Sequence, residues 1–389
     1  MSSSNLIAQC LCKTHTFSAP ISPSDLPLSA SCCHCTSCRH STGALYTCDV
    51  PWPGDPVEIR TSSLQRYAFS SRTNMFFCER CGSPLFYEQQ QQQQQQRRER
   101  DPERDEGQDQ LQKQQLQHDE DDNAEERVYG VFTGVLGLEP VPESELELEL
   151  APDDPSYNTV RRGIIRITEH IFVGDTLDGG VASWMRGPEV KIWLGKREES
   201  REVGGLERWP AEGVNADRNE GEHTNGNSDA GEGSEWGSME VPVICHCGGV
   251  DLMFWTEKIR LGTAAKGFVA FDGCESCRRA AGVDMMYWVV TRLGHLGWKG
   301  EDGKKFPRTT SALRSAVDRN DGNMGTLRCY ASSASVQRYF CGRCSATVFL
   351  AADEDEEVMR VALGLLKTPD GARAEGFVSW YYDRGLLHL

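Results

Sequence analysis

No stretch of the sequence approaches the run of about 18 apolar residues that a membrane-spanning helix needs, so no membrane insertion is expected. Positive charge is also short: 41 Lys and Arg face 58 Asp and Glu, for a net charge of −17. A nucleic-acid groove needs clustered Lys and Arg, and neither a cluster nor a basic tail is present, so no nucleic-acid partner is expected. Apolar residues make up only 38%, low for a chain folded throughout, so part of it should stay unfolded. The opening, Met1 to Cys10, lacks the basic and apolar regions of a secretory signal, and secretion is not expected. H-E-x-x-H and G-x-x-x-x-G-K-[ST] are missing, which removes the common metalloprotease and P-loop chemistries. His118-Asp-Glu120 matches the H-x-E of zinc deaminases, but without the accompanying P-C-x-x-C.

What the sequence does have is cysteine, 16 in all. Most sit in C-x-C and C-x-x-C pairs, the spacing of metal knuckles rather than of loop-closing disulfides. Reduced thiols, and hence cytosol or nucleus, are the expectation.

Composition divides the chain. Residues 89–126 open on glutamines and continue with Arg, Glu, Asp and Gln, too few apolar groups to repay ordering. Residues 196–240, rich in Gly, Glu and Asn, suggest a flexible linker. An acidic tract at 139–155 suggests a loop, or an exposed strand at 143–150 where Glu and Leu alternate.

The remainder repeats itself, as residues 1–195 and 241–389. The first copy runs Cys10-Leu-Cys12, then Cys33-His-Cys35-Thr-Ser-Cys38-Arg39, Phe77-Cys78-Glu-Arg-Cys81, and Gly180-Val-Ala-Ser-Trp184. The second runs Cys245-His-Cys247, Cys274-Glu-Ser-Cys277-Arg278, Phe340-Cys341-Gly-Arg-Cys344, and Gly376-Phe-Val-Ser-Trp380. Between the knuckles lie β-branched and aromatic runs such as Met286-Tyr-Trp-Val-Val290, and alternation at Val250, Leu252 and Phe254. Each copy is expected to be a small, mostly β domain pinned by zinc.

A C-x-C turn and a C-x-x-C knuckle supply four thiolates, a closed tetrahedral shell. Cys10, Cys12, Cys78 and Cys81 form one such set, and Cys245, Cys247, Cys341 and Cys344 the other. Zinc there replaces core that a small β domain lacks. Cys33, Cys35 and Cys38 differ, because three ligands without an evident fourth are what a catalytic site keeps. The alternative is a structural site completed by Cys32, Cys48 or a histidine. In the second copy, Cys274 and Cys277 align with Cys35 and Cys38, which puts Asp272 opposite Cys33; a possible fourth ion there should bind more weakly. Cys32, Cys48 and Cys329 are left as buried small residues. His34 suggests an orienting or exposed residue, and Trp184 a core residue. Arg39 and Arg278 suit thiolate neutralisation, an anionic substrate, or a surface role.

These motifs resemble the domain shared by glutathione-dependent formaldehyde-activating enzyme and centromere protein V. That pattern is C-x-C, C-H-C-x-x-C-R, then F-C-x-x-C-G-[ST]-x-[LVI]-[FY]. The first copy follows it at Cys10–Cys12, Cys33–Arg39 and Cys78–Tyr87; the second departs at Asp272. The resemblance implies two tandem β-tent domains, each with a structural zinc, and a catalytic zinc on Cys33, Cys35 and Cys38. It implies carbon–sulfur lyase chemistry on a thiol–aldehyde adduct such as S-hydroxymethylglutathione, with glutathione and formaldehyde as partners. A non-catalytic zinc scaffold that binds proteins is the alternative, and association with chromatin or microtubules a third.

Overall fold

The computed structural model describes residues 4–90, 127–139, 163–185, 187, 189–204, 240–255, 268–299, 306–352 and 355–380. The fold is mostly β, with four short α-helices among the described residues. In the first half the strands are β1 Ser4–Gln9, β2 Thr16–Ile21, β3 Leu28–Cys33, β4 Thr47–Pro51, β5 Gln65–Ala68, β6 Thr73–Phe77, β7 Pro84–Gln90, β8 Arg127–Phe132, β9 Leu136–Leu138, β10 Ile165–Ile171 and β11 Lys191–Ile192. In the second they are β12 Glu240–Ile244, β13 Asp251–Trp255, β14 Phe268–Asp272, β15 Met286–Arg292, β16 Leu296–Trp298, β17 Leu327–Ala331, β18 Val336–Cys341, β19 Thr347–Ala352, β20 Val358–Ala362 and β21 Ser379–Trp380.

Each half has a three-stranded sheet and one large sheet. The large sheets run β11-β10-β3-β4-β8-β7-β6-β5 and, taken in the same sense, β21-β14-β15-β20-β19-β18-β17. Both are antiparallel except at one edge, where β10 lies parallel to β3 and β21 parallel to β14. Register makes the halves comparable residue by residue. Val50 pairs with Val131, which pairs with Phe86; Val289 pairs with Val361, which pairs with Phe349. Cys33, opposite Thr47, therefore corresponds to Asp272, opposite Met286, in agreement with the alignment of the two cysteine loops.

The helices α1 Thr36–Thr42 and α3 Glu275–Ala281 follow β3 and β14. Both end on a left-handed glycine, Gly43 at φ 80° and Gly282 at φ 73°, where a side chain would be strained. Two further helices, α2 Pro56–Thr61 and α4 Thr310–Asp318, begin on the caps Asp55 and Thr309.

The halves meet backbone to backbone in a reciprocal joint. Gly134 N donates to Gly282 O at 3.1 Å, and Gly364 N donates to Gly43 O at 3.0 Å. Each 3₁₀ turn, Thr133–Val135 and Leu363–Leu365, thus rests on the helix end of the other half. One buried core runs through both halves, from Leu6 and Phe86 to Trp288 and Phe377.

Lys196 to Val203, which composition assigns to the linker, are folded. Leu194 N donates to Arg201 O at 3.0 Å, and Val203 is buried. Gln89 and Gln90 complete β7; the rest of the expected insert, the 139–155 tract beyond Glu139, and most of the linker lie outside the described residues. Among the described residues no helix is long and apolar enough to cross a membrane.

Candidate metal centres

The first quartet forms because β1 and β2 are joined by a turn carrying Cys10 and Cys12, while Cys78 and Cys81 sit in the turn between β6 and β7. Cys10 Sγ lies 3.5 Å from Cys12 Sγ, which is 3.6 Å from Cys78 Sγ. In the second half, Cys245–Cys247 is 3.6 Å and Cys247–Cys341 is 3.5 Å. A tetrahedral zinc with Zn–S bonds of about 2.3 Å separates its sulfurs by about 3.8 Å, so both quartets fit zinc. All four donors of each set lie within 4.8 Å of one another.

Cys33, Cys35 and Cys38 also converge within 4.8 Å, and among the described residues no fourth Cys, His, Asp or Glu joins them. Cys33 ends β3, Cys35 is the N-cap of α1, and Cys38 lies on that helix's first turn, its amide donating to Cys35 Sγ at 3.3 Å. Hydrogen bonds from Cys33 and Cys38 pull the Cys35 thiol down to about 3, while Cys33 is pushed up by bonding to Cys35. Without a metal the trio therefore carries its negative charge on Cys35, with Cys33 and Cys38 held protonated around it.

The other thiols do not complete the trio. Cys32 and Cys48 face each other across β3 and β4 with their sulfurs 3.1 Å apart, fully buried on the opposite face of the sheet. Strand alternation separates them from Cys33. His34 is fully buried rather than exposed: its Nε2 pairs with His170 Nδ1 at 2.9 Å, and His170 Nε2 bonds to Met185 O at 3.2 Å. Arg39 is buried, not on the surface; Nη2 donates to Thr36 Oγ1 at 3.2 Å, and Asp178, Cys35 and Asp175 attract its charge. Trp184 is not a core residue. It is 37% exposed and packs between the halves, 5.0 Å from Trp380 and 5.6 Å from the Arg373 guanidinium.

Asp272, Cys274 and Cys277 converge within 4.8 Å as well, but their donors are differently committed. Asp272 Oδ1 accepts from Cys274 N at 2.7 Å, and Oδ2 accepts from Cys277 Sγ at 3.2 Å. The buried Arg338 donates from Nη1 to Cys277 Sγ at 3.4 Å.

One feature beside the first trio has no signature in the sequence. A cavity of about 450 Å³ opens on the face of the large sheet that carries Cys33. A row of paired residues, Lys191–Glu169–Ser31–Asp49, crosses four strands on that face, and the next row holds Ile171–Cys33–Thr47. Same-face rows lie about 7 Å apart, so the cavity begins one pleat from the trio. Tyr87 OH donates to Asp49 Oδ2 at 2.8 Å, its ring lying across β8 where Gly130 leaves room; a Cβ there would fall 2.2 Å from the ring. Burial pushes the Asp49 carboxyl up to about 6. Arg197, exposed on the rim, pairs with the buried Glu169. Only pairing register brings these residues together, so spacing along the chain carries no signal for them.

A family model described as glutathione-dependent formaldehyde-activating enzyme matches residues 5–98 and 241–383, more than half of the chain. No curated protein matches the chain.

Proposed function

We propose, on the premise that the chain belongs to the glutathione-dependent formaldehyde-activating enzyme family, that its first half is a zinc-dependent carbon–sulfur lyase acting on a thiol–aldehyde adduct such as S-hydroxymethylglutathione. One observation carries this reading: three half-buried thiols converge without a fourth donor among the described residues, one pleat from a polar cavity.

The two quartets are structural sites. Their eight thiols tie the C-x-C turns to the β6–β7 and β18–β19 turns, and binding there adds directly to folding free energy. Cys33, Cys35 and Cys38 hold the catalytic-type ion. Zinc at such a three-ligand site supplies Lewis acidity toward an aldehyde oxygen, or keeps a thiol deprotonated.

The reaction needs little else. In the forward sense a thiol sulfur bonds to the carbonyl carbon, the C=O π bond breaks, and the thiol proton ends on that oxygen. The reverse step returns thiol and aldehyde. Asp49, with its carboxyl near 6, holds or releases a proton at Oδ close to neutral pH, and Tyr87 OH fixes its orientation. Buried Arg39, attracted by Cys35 and Cys38, offsets the charge of the trio. Thiol chemistry of this kind suits a reducing compartment, cytosol or nucleus.

Cys35→Ser should lower formation of S-hydroxymethylglutathione at least about a hundredfold, on the scale of lost metal-site contacts, while thermal stability stays close to wild type. Full activity in that variant overturns the assignment.

A further inference from the structure

We propose that the cavity beside the trio binds the amino-acid end of the thiol substrate, with Arg197 and Lys191 receiving its carboxylate and Glu169 and Glu198 its ammonium. The identity of the reacting sulfur rests on the lyase reading, whereas the cavity's preference rests on geometry. Its walls carry cations and carboxylates side by side, with Trp193 and Tyr87 as apolar panels. Arg197 and Glu169 already pair with each other on the rim, and a zwitterion can enter that pair because its carboxylate and ammonium replace what each partner gives up, which a simple anion or a simple cation cannot do for both. One pleat, about 7 Å, separates the Asp49 row from the Cys33 row. An extended residue spans about 3.3–3.6 Å, so a peptide thiol reaches from the trio to the row with one or two residues.

The second half supplies an internal control. At the register positions of Ser31, Asp49, Tyr87 and Gly130 it has Ala270, Trp288, Leu350 and Arg360. Trp288 and Leu350 are buried, so apolar side chains occupy the place of the acidic floor. The β11 segment and the 193–198 loop, which carry Trp193 and Arg197, follow β10 in the first half alone among the described residues. Among the described residues, this cavity's lining therefore belongs to the half with three intact cysteines.

The test uses S-methylglutathione, which carries both charged ends but no free thiol, titrated calorimetrically into the full chain. Wild type should bind, and Arg197→Ala and Lys191→Ala should each weaken binding about tenfold, the scale of a charge-assisted contact. In turnover assays the same variants should raise KM more for glutathione than for 2-mercaptoethanol, a preference that a merely structural role does not produce. No binding, or binding indifferent to both substitutions, overturns the cavity assignment. If binding shows the expected sensitivity while no thiol–aldehyde pair is turned over, the cavity assignment stands and the lyase reading falls.

The second half carries an independent feature. We infer that its Asp272–Cys274–Cys277 loop is neutralised by Arg338 in place of a metal ion. Arg338 is 5% exposed, and its guanidinium donates to Cys277 Sγ at 3.4 Å and to Ser332 Oγ at 3.1 Å. It also attracts the Asp272 carboxylate. Register puts Arg338 where the first half has neutral Met75: Met75 pairs with Tyr67 and Tyr87, Arg338 with Tyr330 and Leu350. A guanidinium does not deprotonate, so the positive charge is permanent and repels a divalent cation. Native mass spectrometry of the full chain in excess zinc should show three ions in wild type and in Cys274→Ser, and two in Cys35→Ser. A fourth ion in wild type, or one lost in Cys274→Ser, overturns the inference.

Discussion

Where the first half places Cys33, Ser31, Asp49, Met75 and Tyr87, the second places Asp272, Ala270, Trp288, Arg338 and Leu350 at equivalent register positions. The quartets, by contrast, recur with nearly the same sulfur separations. Each quartet brings two turns together, and zinc held there would add to the folding free energy. The three-cysteine loop and the acidic cavity floor do not recur in the second half. In the second half those positions carry a carboxylate, a guanidinium and a tryptophan, all compatible with burial once the arginine's charge is met. On the proposed function, the difference separates what holds the molecule together from what it does.

The largest effect expected from breaking this comparison lies in what the halves share. Stripping zinc with a strong chelator, or replacing Cys81 or Cys344 with serine, should cost each half its fold, because structural zinc contributes on the order of 10 kcal/mol. Circular dichroism after chelation checks this; an unchanged melting curve counts against structural quartets.

A smaller effect is expected at the joint. A Cβ on Gly364 would lie 1.9 Å from Ala44 O, and one on Gly134 would lie 2.4 Å from Arg278 O. Gly364→Ala and Gly134→Ala should each destabilise by about 1–3 kcal/mol, the usual cost of overpacking, and by similar amounts if the joint is reciprocal. Urea melts measure both, and a large inequality between them argues against reciprocity.

The smallest effect sharpens the contrast between Asp49 and Trp288. The folded Asp49 carboxyl sits near 6, above its unfolded value of about 3.9, so folding favours the protonated form. Wild-type stability from this group is full below pH ~4 and falls as pH rises to about 6. Asp49→Asn does not titrate, so its stability relative to wild type should grow by about 1–2 kcal/mol across that window. A pH-independent difference removes Asp49 as the buried acid.

Much of the candidate site is legible in the sequence. Pairs such as Cys78–Cys81 sit in single turns, where sequence spacing fixes spatial spacing, and the order of knuckles reveals the repeat. Asp272 matches Cys33 through the C-x-x-C-R that ends each loop. Other residues defeat a local reading because burial is not a local property. Arg39 and His34 look like surface or flanking groups, yet both are buried, His34 against His170 of β10 and Arg39 near Asp175 and Asp178 of the segment that follows it. Trp184 looks like core and instead lies between the halves. Lys196 to Val203 resemble linker by composition, but backbone pairing with Leu194 and burial of Val203 hold them in place.

The sequence by itself determined the local knuckles, Cys10–Cys12, Cys78–Cys81 and the loop from Cys33 to Cys38, since their geometry is set within a few residues of chain. It also determined a mostly β architecture, through β-branched runs between those knuckles. Only the tertiary structure decided that Lys191, Glu169, Ser31 and Asp49 form one row beside Cys33, and that Arg338 reaches Cys277. Those contacts join residues far apart in the chain, and they exist only once strand register is fixed, because a slip of one residue turns every side chain to the opposite face.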